Sequence, residues 1–279
     1  MSDKIEQLPS LRTLVQAADL TARKSLGQNF LFDLNLTRRI ARAAAPLDGT
    51  VIEIGPGPGG LTRALLLEGA EKLIAIEKDF RVKDFLSHLI EAADGRLELI
   101  EADALKLNLA EIGHEPRQIV ANLPYNIATP LLINWLSQST AFSRLTLMFQ
   151  REVGMRITAQ PGDSHYGRLA VLANWRAETR MLFDIPPEAF VPPPKITSSV
   201  VQLRPYDKPL FPCHQADLEQ ATAIAFGQRR KMLRASFKAQ GGAKFLEDLD
   251  INPEDRPQDL DIAAFCRIAN ALSATRDAP

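Results

Sequence analysis

The sequence predicts an α/β protein, a doubly wound and mostly parallel sheet followed by a small all-helical domain. Three observations carry that expectation. Short apolar runs alternate with helix-length stretches between residues 34 and 203, a Pro-rich break interrupts the pattern at 205–212, and beyond it only helical periods recur. Strands separated by helices of this length build βαβ units, whose crossovers favour parallel pairing.

In chain order, residues 1–24 read as a polar arm with helical periodicity at Leu11, Leu14, Val15 and Ala18. A basic and apolar stretch from Arg23 and Lys24 to Leu31 leads into a helix over 34–45, stopped by Pro46. Strands are expected over 51–54, 73–76, 97–100, 118–121, 145–149 and 200–203, and helices over 61–68, 81–93, 130–137 and 153–159. The tail shows helical periods over 218–226, 231–238, 243–249 and 262–272. The expected divisions are an arm over 1–24, the α/β domain over 25–205 and a helical domain over 206–279.

Composition narrows the class. The 279 residues are 46% hydrophobic and 24% charged, proportions of a folded globular chain. No apolar run approaches the ~18 residues of a membrane helix. The start carries Asp3, Glu6 and Asp19 without an apolar core, so no secretory signal or transit peptide is expected. Cys213 and Cys266 are far apart and the four histidines are scattered, which disfavours a metal site and fits a reducing cytoplasm. Net charge is −1, so bulk charge does not announce a nucleic-acid binder. The distribution is less even: Arg229, Arg230, Lys231, Arg234, Lys238 and Lys244 precede an acidic block from Glu247 to Asp261.

The first strand runs directly into Gly55-Pro56-Gly57-Pro58-Gly59-Gly60. Glycines there let the backbone turn tightly and approach a ligand faced by the following helix N-terminus. Glu77 ends the second strand, where a carboxylate accepts hydrogen bonds from ribose hydroxyls. Asp103 ends the third, where it can accept from an adenine amino group. Together with Gly55 and Gly57 these acids describe an adenosine trough that suits NAD as well as S-adenosylmethionine. The chain has no Gly-x-x-x-x-Gly-Lys-Ser/Thr loop, which disfavours a P-loop hydrolase.

The tetrapeptide Asn122-Leu123-Pro124-Tyr125 after the fourth strand favours the second cofactor. An exocyclic adenine amine is a poor nucleophile because its lone pair is delocalised into the ring. Acceptors around its N–H groups, here the Asn122 amide oxygen and the Leu123 or Pro124 carbonyl, favour pyramidal nitrogen and stabilise the developing positive charge. Proline fixes the backbone so that a carbonyl faces inward. Tyr125 offers a ring on which an unstacked base can lie.

Over nearly its whole length the sequence resembles the KsgA/RsmA family of ribosomal RNA adenine N6,N6-dimethyltransferases. The matching stretches are Gly27-Gln28-Asn29-Phe30-Leu31, Glu53-Ile54-Gly55-Pro56-Gly57, Asn122 to Tyr125, Tyr166-Gly167-Arg168-Leu169, Phe190 to Lys195 with Ser198, and Phe226-Gly227-Gln228-Arg229-Arg230-Lys231. The resemblance implies that Asn29, Leu31, Gly55, Glu77, Asp103 and Asn122 line an S-adenosylmethionine pocket. It implies that Asn122, Leu123, Pro124, Tyr125 and Phe190 hold a target adenine. It further implies dimethylation of two adjacent adenines near the 3′ end of 16S rRNA in the small ribosomal subunit, by a cytoplasmic protein expected to be monomeric and to need neither metal nor membrane.

Two physical expectations accompany it. Phe190 precedes Pro192-Pro193-Pro194 after Val191, a rigid extended run suited to presenting an aromatic face. If residues 229–244 form a helix, Phe226, Leu233 and Phe237 fall on one side and Lys231, Arg234 and Lys238 on an adjacent ridge that can contact phosphates, with Arg229 and Arg230 beside it. One departure is Gly227, where the family pattern has Asn. A large-subunit rRNA adenine dimethyltransferase, a DNA adenine methyltransferase and a non-catalytic assembly protein on the same fold are the rival readings. The Pro-rich and Arg-rich motifs oppose the first, Leu123 in the tetrapeptide the second, and the intact glycine loop with Glu77, Asp103 and Asn122 the third.

Overall fold

A computed structural model describes residues 2–17 and 29–276 of the chain. Taken over these residues it forms two compact units, Met1–Gly154 with Arg180–Pro205 and Met155–Thr179 with Tyr206–Pro279. The stretch 155–179, expected in the α/β domain, therefore groups with the tail. Its Tyr166, Val171 and Trp175 share one apolar cluster with Leu218, Phe237 and Phe265, which is why the division does not follow chain order.

The first unit begins with helices α1 (Ser2–Glu6) and α2 (Leu11–Ala17). The described part of the arm is not a detached extension. Ile5 is fully buried in the main core, and the Arg63 guanidinium donates to the carbonyls of Pro9 (2.8 Å), Leu8 (2.9 Å) and Glu6 (3.1 Å). Residues 18–28, with Arg23, Lys24, Gly27 and Gln28 of the expected basic stretch, lie outside the described residues.

Strand β1 (Phe30–Leu31) leads to helix α3 (Leu34–Ala43), started by Asp33, whose carboxylate accepts from the Asn35 and Leu36 N–H groups. Then come β2 (Thr50–Ile54), α4 (Gly60–Leu67), β3 (Lys72–Glu77), α5 (Val82–Ala92), β4 (Leu97–Glu101), β5 (Arg117–Asn122), α6 (Tyr125–Ser137) and β6 (Arg144–Gln150). Helices α7 (Arg151–Thr158) and α8 (Arg168–Arg176) precede β7 (Ala177–Ile185), the two-residue β8 (Phe190–Val191) and β9 (Ser198–Pro205).

Seven strands form one sheet in the order β4-β3-β2-β5-β6-β9-β7, while β1 pairs antiparallel with β8. The pairs β4-β3, β3-β2, β2-β5 and β5-β6 are parallel, and β9 runs antiparallel to β6. Central strand β2 is buried at every position, as a parallel strand covered on both faces must be. The strand β7 and the helix α8 were not expected.

In the second unit α9 (Gln215–Gly227), α10 (Leu233–Ser236), α11 (Ala243–Glu247) and α12 (Ile262–Arg276) complete the chain. Phe226 stacks on Phe265 with ring centres 5.5 Å apart and meets the edge of Tyr166 at 6.1 Å. Residues 229–244 do not form one helix; α10 and α11 are short helices within the separate periods expected over 231–238 and 243–249. The Leu233 and Arg234 N–H groups donate instead to the Asp255 and Pro253 carbonyls, so the acidic segment supplies backbone partners that a continuing helix would have provided. Arg234 and Glu254 add an ion pair at 3.3 Å.

Candidate active site

A cavity of about 280 Å³ lies in the first unit at the carboxyl ends of β2, β3, β4 and β5. Strand order reverses between β2 and β5, the place where open parallel sheets hold ligands. Residues from β1, the loop before α4, and the start of α6 complete its walls.

Two glycines are there for different reasons. Gly55 has φ +69°, and a Cβ built on it would meet no atom within 4 Å, because the position opens onto the cavity. Gly60 has ordinary φ, but a Cβ on it would stand 2.3 Å from the Leu31 carbonyl oxygen. Its missing side chain lets β1 approach the N-terminus of α4. Gly57, Gly60 and Leu61 line the cavity, where that helix presents its positive end.

Two acids at strand ends line the cavity beside this loop. Glu77 accepts from the Lys78 (2.8 Å), Asp79 (2.9 Å) and Gly57 (3.4 Å) N–H groups. Burial raises its pKa and these three donors oppose the rise. Asp103 accepts from the Lys78 ammonium at 2.9 Å and the Leu105 N–H at 3.1 Å, and the lysine above all holds its carboxyl below the usual range.

Glu53, one residue before Ile54 at the end of β2, is 1% exposed, and its Oε2 has no hydrogen-bond partner among the described residues. Burial, reinforced by the charge of Glu77 and offset in part by Thr62, pushes its carboxyl up to about 8. Glu53 was not singled out as a site residue, although a carboxylate inside the apolar run Val51-Ile52-Glu53-Ile54 is a visible sign.

The tetrapeptide also lines the cavity. Asn122 is the last residue of β5, and its side-chain nitrogen donates to the Asn29 carbonyl at 3.1 Å. Its amide oxygen has no partner among the described residues and is the acceptor available to the cavity that Asn122 lines. Leu123, Pro124 and Tyr125 line the same wall, and the Tyr125 hydroxyl shares a 2.6 Å hydrogen bond with Ser198. Burial raises that phenol's pKa.

The structure thus brings Asn29, Leu31, Gly55, Gly57, Glu77, Asp103, Asn122, Leu123, Pro124 and Tyr125 around one cavity. Phe190 is the exception. It is 1% exposed, belongs to the main core and does not line the cavity. Instead of presenting a free aromatic face, it pairs with Leu31 in the β1-β8 ribbon, which places its ring inward.

A second cavity, of about 310 Å³, lies within the helical unit between Gly162, Asp163, Ser164, Arg229, Arg230, Arg256 and Gln258. Arg229 donates to the Ser164 carbonyl at 2.6 Å, and Arg230, Lys231 and Lys238 are exposed. Arg256, the cation inside the acidic block, comes beside Arg229 and Arg230 only through folding. Among the described residues no group of His, Cys, Asp and Glu could hold a metal ion, and no helix is long and apolar enough to cross a membrane.

The reversal of strand order, the glycine loop and the acids on successive strand ends define a nucleoside-binding protein of the Rossmann-like α/β class. The family described as ribosomal RNA adenine dimethylase matches residues 19–274, and the chain belongs to that family. It is 56% identical to ribosomal RNA small subunit methyltransferase A of Agrobacterium fabrum, over 96% of this chain and 99% of that one. The protein of the same name from Rhodospirillum rubrum is 54% identical over 96% and 93%. Among solved structures, a dimethyladenosine transferase from Plasmodium falciparum superposes with a TM-score of 0.76 at 27% identity, covering 88% of this chain and 98% of that one. The 23S rRNA methyltransferase ErmE gives 0.67 at 25% identity, covering 88% and 100%.

Proposed function

We propose that this protein transfers methyl groups from S-adenosylmethionine to the N6 amines of two adjacent adenines in 16S rRNA of the small ribosomal subunit. It would act in the cytoplasm as a monomer. The observation that carries the reading is the held amide of Asn122: its nitrogen is committed to Asn29, and its oxygen is left to accept from an amine at the end of a nucleoside-sized cavity. Relatives above half identity named for the small subunit support the choice of rRNA.

The residues present fit the cofactor. The open space at Gly55, where any side chain would intrude, suits a ligand passing close to backbone. Glu77 and Asp103 are acceptors matched to ribose hydroxyls and an adenine amine, while Asn29, Leu31 and Gly57 wall the remainder. When bound, S-adenosylmethionine supplies a methyl group on a positively charged sulfur.

The chain's part is positioning. Asn122 Oδ1 and the Leu123 or Pro124 carbonyl accept from the target amine and orient its lone pair, and they stabilise the positive charge that grows on nitrogen. Tyr125, anchored through Ser198, supports the base from one side. Phe190 acts through the ribbon it forms with Leu31. Arg229, Arg230, Lys231, Arg234 and Lys238, joined by Arg256, serve as phosphate contacts in the helical unit.

The test is methyl transfer from labelled S-adenosylmethionine to undermethylated small subunits, with large subunits, duplex DNA and an Asn122→Ala variant alongside. Dimethyladenosine on small subunits only, lost in the variant, is the expected result. Subunit binding without label would leave an assembly scaffold, and label on large subunits or DNA would reassign the substrate.

A further inference from the structure

Lys78 follows Glu77 at the end of β3 and lines the cavity. Its ammonium lies 2.9 Å from Asp103 Oδ2, with the lysine side chain 68% exposed and the aspartate 21%. Asp103 Oδ1 already accepts from the Leu105 N–H at 3.1 Å. Each carboxylate oxygen therefore already holds one donor, and on Oδ2 an incoming exocyclic amine competes with an intramolecular ammonium.

We propose that Lys78 gates the purine end of the cavity: it competes with a 6-amino purine for the Asp103 carboxylate, and such a purine binds by drawing that carboxylate away from the ammonium. The proposal rests on the nucleoside reading of the cavity given above. The gate is cheap to open. An ion pair this exposed is weak, and a lysine head on a four-carbon stem swings into water without disturbing the strand that carries it. It nevertheless opposes binding, because the ammonium and the adenine amine draw on the same carboxylate.

Chemical selectivity follows. A 6-oxo purine presents an acceptor where adenine presents a donor. It can take a hydrogen bond from the Lys78 ammonium and leave the ion pair in place. Lys78 thus weakens the site's preference for adenine over hypoxanthine, and removing it sharpens that preference. Salt acts in the same sense, since screening loosens the pair and assists an uncharged base.

The experiment is calorimetric titration of the full chain with S-adenosylhomocysteine and with its inosine counterpart, at low and at near-physiological ionic strength. Lys78→Met, which keeps the aliphatic stem, and Asp103→Asn are compared with the native protein. Lys78→Met is expected to bind S-adenosylhomocysteine about two- to fivefold tighter, and the inosine compound no tighter. Native affinity for S-adenosylhomocysteine should rise with salt, and that rise should vanish in Lys78→Met. Unchanged or weaker adenine binding in Lys78→Met, with Asp103→Asn still weakening it, overturns the gate and leaves the nucleoside site standing. Failure of the native protein to bind either nucleoside overturns the site reading and the gate together.

Discussion

Asn122 owes its orientation to one hydrogen bond, from its side-chain nitrogen to the Asn29 carbonyl. An amide fixed at its nitrogen end presents its oxygen without a search through rotamers, and it does so before any substrate arrives. Replacing it with alanine is expected to lower the single-turnover rate of methyl transfer by about 10²–10³-fold, the scale for losing one preorganised polar contact at a developing charge. Cofactor affinity, measured separately by titration, should change far less. Glu53 makes a second prediction at this scale. Its carboxyl keeps its proton up to about 8 in the folded chain and loses it near 4.5 in the unfolded chain. Between those values the folded state binds the extra proton, so this group's contribution to stability declines as pH rises from about 5 to 8. Glu53→Gln keeps the neutral shape, so denaturant melts without cofactor should show the variant gaining on the native protein across that interval and no further above it. An advantage independent of pH would contradict this. The motif residues around both were legible as residue types in order. Pairings such as Lys78 with Asp103, or Arg256 with Arg229 and Arg230, were not, because they depend on loops meeting in space.

Among elements, the parallel strands were legible for a physical reason. A strand covered on both faces reads as a nearly unbroken apolar run, as in Val51–Ile54 and Leu73–Ile76, which lie within β2 and β3. Strand β7 was missed because it ends the sheet: Ala177–Ile185 is mostly half-exposed and mixes polar with apolar residues without a clean alternation. Helix α8 was missed for the opposite reason. From Ala170 to Arg176 every residue is buried, so it lacks the polar face that marks an amphipathic helix. The junction of α4 with β1 and the arm yields two predictions. Gly60→Ala places a methyl against the Leu31 carbonyl, and the backbone must move; a loss of about 1–3 kcal/mol in denaturant unfolding and weaker nucleoside binding are expected. Arg63→Ala removes the donors that hold the carbonyls of Glu6, Leu8 and Pro9, so protease cleavage near the N-terminus should accelerate more than global unfolding does. Equal acceleration of both would show that the guanidinium only fills space.

For the molecule as a whole, the cavity at the sheet edge lies in one unit and the arginine-lined cavity in the other. If the second contacts RNA backbone, replacing Arg229, Arg230 and Arg256 with alanine should weaken small-subunit binding uniformly across rRNA sequences. It should also lower the salt slope by about one unit for each phosphate contact removed. An unchanged slope would assign these arginines to internal bonds such as Arg229 to Ser164. The units are also interleaved along the chain. A fragment ending at Pro205 keeps Tyr166, Val171 and Trp175 but lacks the Leu218, Phe237 and Phe265 that cover them. It should bind an apolar dye and self-associate, whereas a cut between true tandem domains would release a well-behaved piece.

That interleaving has a consequence in time. A polypeptide is made from one end, and the first half of the helical unit's core is finished long before the second half exists. At roughly 5–20 residues per second, the ~100 residues between Tyr166 and Phe265 take about 5–20 s to synthesise. During that interval Trp175 and its neighbours stand exposed, while the sheet beside them in sequence already has every strand it needs once Pro205 emerges. The nascent chain therefore passes through a stage in which every residue lining the sheet-edge cavity has been made and the helical unit is unfinished. Until α12 arrives, that stage carries apolar surface that only the finished chain covers.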